Sequence, residues 1–401
     1  MKSQQIILSL LILTLLNPVL PGQTDKDFNK YAKFINANRP DKITKLINRG
    51  KNINATNNAG KTPLLFALEK DRVAIADVLI TSGADIHMKD SRDNGCLHYA
   101  IENSSSLNII YRLVDHGANI DQANSDLYTP YHFSLLFKCP EISKYLMDKG
   151  ADYKKVTAYE EGPIHLAAQS GCIDMVEELI QLGLDYDRPD VYGNTPFLFA
   201  LKNDRRAVSG RLMDLGVNLL VKDSAHYTPV FYAVENNDSV IFNRLIEQDV
   251  EVDVPAEGKT PIVLAAFRDN ADFVKKLLLK GAKNPMNCNI HDECYVTAFI
   301  YSMSAELADP EEQPGLYQNS LNIYNMALEK YRNALNKIRA KNTGKFCGEV
   351  CLLTAASLAT GYIYAGSGVD YEKDERDYLK NRMDICELRI AELEAIVNPV
   401  Q

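Results

Sequence analysis

Three histidines recur at a nearly constant interval in the first half of the chain: His98, His132 and His165. Histidine is a frequent metal ligand and general base, so three of them in register could bind a metal or assist proton transfer. The same interval, however, brings apolar side chains such as Leu65 and Leu198 to the equivalent positions. A ligand set or a catalytic base does not tolerate that exchange. The pattern therefore predicts a structural role for the three histidines.

A second group of reactive residues lies near the C-terminus. Its cysteines are Cys288, Cys294, Cys347, Cys351 and Cys386. These sulfurs and His291, which stands between the first two, are enough ligands for a zinc ion, but their spacing matches no strong zinc signature. Disulfides are the alternative that an exported chain favours. The run His291-Asp292-Glu293-Cys294 also places a base beside a thiol, but catalysis requires the two groups to meet in space.

Known catalytic signatures are missing from the sequence. It contains no G-x-S-x-G, P-loop, H-E-x-x-H or kinase motif. We therefore expect a protein that is not an enzyme, with no catalytic residue, metal or cofactor. The net charge of the 401 residues is −9, which argues against nucleic acid as a partner because phosphate binding needs a basic surface.

The N-terminal segment has the form of a secretory signal. Lys2 precedes an apolar run from Ile6 to Leu16, which is followed by Pro18 and Pro21. The run is shorter than the roughly 20 residues that span a bilayer. We expect a signal peptide over residues 1–22 and a secreted or periplasmic protein; the alternative is an uncleaved N-terminal anchor.

The interval that separates the histidines belongs to an internal repeat. Each repeat begins with a four-residue motif, Thr-Pro in most copies, and successive motifs start about 33 residues apart, a period typical of repeat architectures. A second marker, a Gly, follows most of these starts after the length of a helix pair. The motifs define repeats 1 to 7 and begin at Thr62, Gly95, Thr129, Gly162, Thr195, Thr228 and Thr260.

These residue types predict pairs of short helices. Pro is well tolerated in the first turn of a helix, and Gly takes the left-handed conformation that ends one. A small residue five positions after each start, such as Ala67 in repeat 1, lets neighbouring helices approach closely. Asp174 to Leu182 carries apolar residues at helical spacing and is typical of the second helices.

The pattern resembles the ankyrin repeat, whose T-P-L-H-x-A motif recurs with a period of about 33 residues. The motif of repeat 3, Thr129-Pro130-Tyr131-His132, differs from T-P-L-H at one residue. Repeats 2 and 4 depart from Thr-Pro, with Gly95-Cys96 and Gly162-Pro163 in its place. The resemblance covers about residues 28 to 285 and implies an all-α solenoid of about seven to eight units, assigned to residues 23–286. It also implies that the histidines hydrogen-bond the loops between units.

Residues 287–401 do not continue the repeat, and we expect a helical C-terminal domain that covers the apolar end of the last repeat. Two stretches alternate apolar residues four and three apart, a heptad pattern of long helices. The two helices could pair as an antiparallel hairpin or form a dimerisation seam, or each could pack as one element of a helical domain. The first stretch contains Tyr317, Leu321, Tyr324, Leu328, Tyr331, Leu335 and Ile338. The second contains Leu379, Met383, Cys386, Ile390, Leu393 and Val397.

Between these stretches, Val350 to Val369 is an uncharged run that is long enough to cross a membrane. Gly, Ser and Thr dilute the run, and its basic flank precedes it, which opposes the positive-inside tendency if the N-terminal part is exported. We expect a buried helix rather than a membrane span.

The resemblance implies an interaction scaffold that binds a protein or peptide through its concave face and turns, here across repeats 3 to 7. Two helical turns after the motif start, repeats 3 and 7 carry apolar residues where the other repeats are polar, and Tyr recurs in the turns. Such residues either anchor a partner or pack within their own hairpins. The candidate partner-binding residues are Leu136, Phe137, Phe267, Arg268, Tyr128, Tyr159, Tyr192 and Tyr227. The alternative function is an effector whose C-terminal domain has an enzymatic or membrane-associated activity.

Overall fold

The computed structural model describes residues 26–103, 107–256, 259–283, 291–341 and 371–397. Within these ranges the chain forms α-helices joined by turns, without a strand, as expected from the sequence. The chain divides after Ser224 into two compact units. The expected signal peptide over residues 1–22 and the apolar run Val350 to Val369 lie outside the described residues.

The first unit contains a leading helix pair and repeats 1 to 5. The leading pair is α1 Lys26–Asn36 and α2 Pro40–Asn48. The first helices of the repeats are α3 Pro63–Glu69, α5 Cys96–Glu102, α7 Pro130–Leu136, α9 Pro163–Ser170 and α11 Pro196–Lys202. The second helices are α4 Val73–Thr81, α6 Leu107–Asp115, α8 Pro140–Asp148, α10 Ile173–Gln181 and α12 Arg206–Asp214.

The second unit contains repeats 6 and 7 and three longer helices. The repeat helices are α13 Pro229–Glu235, α14 Ser239–Ile246, α15 Pro261–Phe267 and α16 Ala271–Leu279. The longer helices are α17 His291–Leu307, α18 Gln313–Lys341 and α19 Tyr371–Val397.

The motif begins each first helix as predicted. Pro is the first helical residue in every repeat except repeat 2, because a helix does not use the N–H of that position. The motif threonine caps the helix in repeats 1, 3, 5 and 6; Thr195 Oγ1, for example, accepts the N–H of Leu198 at 3.4 Å. Thr260 of repeat 7 makes no such bond. Glycines such as Gly150, at φ 92°, end the second helices as expected.

The small residue of each motif lies at the centre of the packing. Within each unit the first helices of successive repeats contact one another, and this position is fully buried between them. A larger side chain there would separate the helices. The residues are Ala67, Ala100, Ser134, Ala167, Ala200, Ala233 and Ala265.

The three longer helices run antiparallel in succession. Ser320 Oγ of α18 donates to Ala298 O of α17 at 2.8 Å, and Arg332 of α18 pairs with Glu387 of α19 at 2.7 Å. The two heptad-patterned helices therefore pair as a hairpin, one of the arrangements that the sequence left open, whereas dimerisation through them stays untested. The buried residues of the heptad pattern are Leu321, Tyr324, Leu328, Tyr331, Leu335, Leu379, Cys386, Ile390 and Leu393.

Helix α17 packs on both helices of the last repeat, so the C-terminal region covers that repeat as expected. The cover is partial. Leu277 is fully buried in α16, but Leu279 at the end of the same helix is 72% exposed.

Candidate partner-binding surface

In the first unit, a hairpin turn precedes each of repeats 1 to 5 and is closed by its own first residue. Before repeat 3, Asn124 N donates to Tyr128 O at 3.0 Å. The Asn124 side chain accepts the N–H groups of Asp126 and Tyr128 at 3.1 and 2.9 Å. Asp190 closes the turn before repeat 5 in the same way. Such a side-chain bond fixes the turn, so the residues at its tip keep one conformation.

Successive turns are also bonded to one another at their tips. Ala158 N donates to Asp126 O at 2.9 Å, and Val191 N donates to Tyr159 O at 3.0 Å. The tips of the first unit therefore form one continuous row, in which side chains from neighbouring repeats lie side by side.

The candidate tyrosines occupy two different positions in these turns. Tyr159 and Tyr192 are at the tips, where their rings stack with centroids 6.1 Å apart. Tyr192 is 50% exposed and Tyr159 is half-buried. Tyr128 and Tyr227 stand two positions later, at the base of their turns. The sequence-based prediction treated the four tyrosines as one group, but the repeat interval places them at two different positions of the turn.

The tyrosines at the turn bases make structural contacts. Tyr128 Oη donates to the buried carboxylate of Glu161 at 2.5 Å. Burial of both groups raises the pKa of Tyr128 and the pKa of Glu161. Tyr227 packs against Phe231 and Tyr232, with ring centroids 4.7 and 5.5 Å away. Both tyrosines are half-buried and offer less of their surface than Tyr192.

Two exposed apolar residues at the tips are missing from the sequence-based candidates. Leu127 is 49% exposed and Val191 is 53% exposed. Leu127 also has φ 60°, a left-handed conformation that is costly for a leucine, whereas Gly193 holds the equivalent place before repeat 5. Alignment of the turns by the repeat interval would have found both residues. We call Leu127, Tyr159, Val191 and Tyr192 the tip strip.

The predicted apolar pair of repeat 3 lies at the end of α7. Leu136 and Phe137 are both half-buried. The Phe137 ring is 5.7 Å from that of Phe133, which in turn lies 6.3 Å from Tyr128. These contacts form an aromatic row of Tyr128, Phe133 and Phe137 that runs from the turn base to the end of the helix.

The predicted pair of repeat 7 already has partners within the chain. Arg268 Nη1 donates to the backbone carbonyl of Glu235. The half-buried Phe267 ring lies 5.3 Å from the guanidinium of Arg382, which also donates to the Phe267 carbonyl at 2.9 Å. Arg382 is 115 residues away in the sequence, and no local pattern connects the two.

Two of the three histidines, His98 and His132, have the structural role that the sequence predicts. His165 Nδ1 accepts the N–H of Gly162 at 3.0 Å, but its buried Nε2 has no hydrogen-bond partner among the described residues. His132 Nδ1 accepts the N–H of Thr129 at 3.1 Å, and its Nε2 lies 3.0 Å from Lys155 O in the next turn. His98 makes the corresponding bonds to Gly95 and Tyr128. Because Nδ1 accepts, Nε2 carries the proton and donates. Burial lowers the pKa of His132 to about 4, which keeps the ring neutral.

The C-terminal cysteine group contains a disulfide. Cys294 is buried and disulfide-bonded, so its sulfur is neither a thiolate nucleophile nor a zinc ligand in this state. The side chains of Cys288, His291, Cys347 and Cys351 lie outside the described residues. Among the side chains that are described, no three from His, Cys, Asp and Glu converge as a metal site requires.

Comparison with known families identifies the repeats. A family model described as three copies of the ankyrin repeat matches residues 75–157 and 206–292, and a model of many copies matches residues 164–209. The chain belongs to the ankyrin repeat family. The two models leave only residues 158–163 unmatched between residues 75 and 292.

Curated relatives match this chain over short segments. An ankyrin repeat protein of Fowlpox virus (strain NVSL) is 31% identical over 112 residues, which cover 28% of this chain and 26% of the viral protein. Inversin from Mus musculus is 32% identical over 82 residues, which cover 20% of this chain and 8% of inversin. The chain thus spans about a quarter of the first relative and less than a tenth of the second.

In the part of the chain that the structure describes, no helix is both long and apolar enough to cross a membrane.

Proposed function

We propose that this ankyrin repeat protein is an exported interaction scaffold that binds a protein or peptide partner through the tip strip and the adjoining aromatic row. The observation that carries the proposal is the exposure of Leu127, Val191 and Tyr192 on turns that are bonded into one row. The Tyr159 and Tyr192 rings stack within this row, and an apolar patch that a folded protein leaves exposed to water usually contacts a partner.

The backbone conformation of Leu127 supports this function. A leucine at φ 60° costs roughly 1 kcal/mol relative to glycine, and its side chain recovers little of that by burial because it is 49% exposed. The equivalent residues Asp93 and Glu160 also have positive φ, so the turn requires this conformation and the leucine is its costly occupant. A partner that buries the leucine would account for it.

The rigidity of the tips supports the same function. Each tip is fixed by a side-chain bond within its turn and by a backbone bond to the preceding turn. A surface that is already ordered loses little entropy on binding. Tyr192 adds a large amphipathic ring with few rotatable bonds, a type enriched at the centres of interfaces.

The aromatic row provides a second contact in the same repeats. Phe137 and Leu136 are half-buried, so each presents one side to the outside. Phe267 and Arg268 contribute less to this proposal. The Phe267 ring already contacts Arg382, and Arg268 already donates to the Glu235 carbonyl.

The experiment begins with immobilised protein, residues 23–401, and identification of retained proteins by mass spectrometry. The affinity of each retained protein is then measured for the wild type and for Leu127→Asn, Val191→Ala and Tyr192→Ala. Each substitution should weaken a true partner by about 1–3 kcal/mol, roughly five- to 150-fold. Leu220→Ala is the matched control, because Leu220 is 64% exposed but is not a residue of the turns that carry the tip strip. A partner that is lost equally from the control, or from none of the variants, would remove the tip strip from the binding surface.

Export is the second part of the proposal and is tested separately. The support is the signal-like pattern of residues 1–22. Expression of the full chain in its own cell, followed by mass spectrometry of the intact protein, should find a mature form that begins near Gln23 outside the cytoplasm. A full-length form in the cytoplasm alone would contradict export and would leave the binding proposal untouched.

A further inference from the structure

Glu161 is a buried carboxylate in the same turn as Tyr159 of the tip strip. It is the last residue of that turn and is only 9% exposed. Its Oε2 accepts hydrogen bonds from Tyr128 Oη at 2.5 Å and from Thr157 Oγ1 at 3.2 Å. Both donors are neutral hydroxyls, so they satisfy one oxygen of the carboxylate but do not compensate its charge.

The second oxygen of this carboxylate is open. Glu161 Oε1 accepts no hydrogen bond from the residues that the structure describes. It is not sealed from solvent either, in contrast to the unpartnered nitrogen His165 Nε2. A donor that arrives from outside can therefore reach Oε1 without breaking a hydrogen bond of the folded chain.

No cation within the described ranges balances the charge of Glu161. It makes no ion pair there, and no lysine or arginine lies close enough to affect its pKa. Burial raises that pKa, and the Asp190 carboxylate of the next turn raises it further. Burial, and next the Asp126 carboxylate, raise the pKa of Tyr159 in the same way. Folded proteins rarely bury a charged group without pairing it, so these surroundings favour an added cation.

The repeat itself does not require an acid at this position. None of the residues that the repeat interval aligns with Glu161 is acidic: they are Lys61, Asn94, Tyr128, Asn194 and Tyr227. The turns that end at Asn94 and Asn194 close with the same backbone hydrogen bond as the turn of Glu161. Because burial of a carboxylate costs free energy and the turn closes without one, Glu161 points to a role outside the fold.

We propose that the partner of the tip strip inserts a lysine or arginine side chain beside Tyr159 and bonds its charged group to Glu161 Oε1. The inference rests on the proposed function and names the partner's chemistry, a basic residue next to apolar residues that cover Leu127, Val191 and Tyr192. The aliphatic stem of the basic side chain would lie along the Tyr159 ring while its charged end reaches the carboxylate. A charge-assisted hydrogen bond of this kind is stronger than one between neutral groups.

The first test is a selection of random phage-displayed peptides on the full chain. The wild type should select peptides in which apolar residues flank a lysine or arginine. The Glu161→Gln protein should keep the apolar preference and lose the basic one, because glutamine accepts the same hydroxyls but carries no charge. Glu160→Gln is the matched control and should select the same peptides as the wild type, since Glu160 is the neighbouring glutamate and already pairs with Arg188.

The second test is a double-mutant cycle with the tightest selected peptide, in which Met replaces the basic residue. Either the Glu161→Gln change or the Met replacement should weaken binding about tenfold or more, and the two together should weaken it no further. The Met peptide should bind the wild-type and Glu161→Gln proteins equally, which also shows that the variant is folded.

The pairing with Glu161 and the proposed function fail in different ways. Peptides that lose affinity for Tyr192→Ala but show no preferred basic residue would keep the tip strip as a binding surface and overturn the pairing. Equal weakening by Glu160→Gln would overturn it as a general effect of charge. Loss of the Met peptide from Glu161→Gln would overturn it by showing that the carboxylate supports the turn. If no selected peptide depends on Tyr192, the proposed function and this inference fall together.

Discussion

The repeats and the three C-terminal helices reach stability by different routes. Repeat helices are seven to nine residues long, whereas α17, α18 and α19 have 17, 29 and 27 residues. Contacts between repeats join residues about one interval apart, such as Lys276 and Asn243. The Arg382–Asp269 bond joins residues 113 apart. The repeats thus follow from local signals copied along the chain, while the C-terminal helices depend on distant contacts.

The largest expected effect comes from a matched pair of large-to-small substitutions in the core. Phe197 in repeat 5 and Phe299 in α17 are both fully buried. Replacement by Ala should cost about 3–5 kcal/mol at either site. In Phe197→Ala, amide exchange should rise mainly near repeat 5, because repeats contact only their neighbours. In Phe299→Ala, exchange should rise together throughout α17, α18 and α19. Identical spreading in the two variants would erase the distinction.

Acid should destabilise the histidine-bearing repeats next. The folded pKa of His132 is about 4, below its ordinary value of 6.5, so the unfolded state binds the proton more readily. Stability from this ring is complete above pH 6.5 and falls as the pH decreases, by about 3 kcal/mol at pH 4. Urea titrations at several pH values measure the loss.

His132→Leu is the control for that titration, since Leu198 holds the same position in repeat 5. The variant loses hydrogen bonds to Thr129 and Lys155 and should be about 1–2 kcal/mol less stable at pH 7. Its decline between pH 6.5 and 4 should be shallower than that of the wild type. A parallel decline would show that other groups cause the acid sensitivity.

A smaller effect should distinguish the caps of two otherwise equivalent repeats. Thr195 Oγ1 accepts an N–H of α11, whereas Thr260 makes no such bond to α15. Thr195→Ala should therefore cost about 1 kcal/mol, and Thr260→Ala markedly less. Thermal unfolding of the two variants measures the difference, and equal losses would mean that the hydroxyls act through packing.

The smallest expected change is an increase in the stability of the folded protein. Leu127→Asn places a residue that tolerates positive φ at the strained tip and should stabilise the protein by about 0.5–1 kcal/mol. The same variant should bind a tip-strip partner more weakly. Denaturant unfolding measures the gain, and a loss of stability would show that Leu127 packs in the folded chain more than its exposure indicates.

The sequence predicted the repeats well because each of their signals acts over a few residues. The Thr-Pro motif begins a helix, and the glycine ends its partner, without reference to the rest of the chain. The histidine role also followed from the apolar residues at the same position. The heptad pattern identified the buried faces of α18 and α19, although it could not choose between a hairpin and a dimer.

The candidate surface was predicted less completely, because exposure depends on the turn and on distant partners. Tyr128 and Tyr192 look alike in sequence but differ by two positions within the turn. As a result Tyr128 bonds the Glu161 carboxylate, whereas Tyr192 is exposed to solvent. Leu127 was missed because its place at a turn tip is evident only when the turns are aligned by the repeat interval. The contact of Phe267 with Arg382 bridges 115 residues, and a local pattern contains no information about it.

The bonds between turn tips have a direction. In each one the later turn gives the N–H and the earlier turn gives the carbonyl, as when Ser125 donates to Arg92 and Ser224 donates to Tyr192. Every such turn therefore presents a carbonyl acceptor to the next turn and an N–H donor to the previous one. If a copy of one repeat were inserted beside the original, its turn could form both hydrogen bonds, one with the turn before it and one with the turn after it. A chain of this kind can therefore be lengthened by whole repeats without leaving a gap in the row of bonded turns.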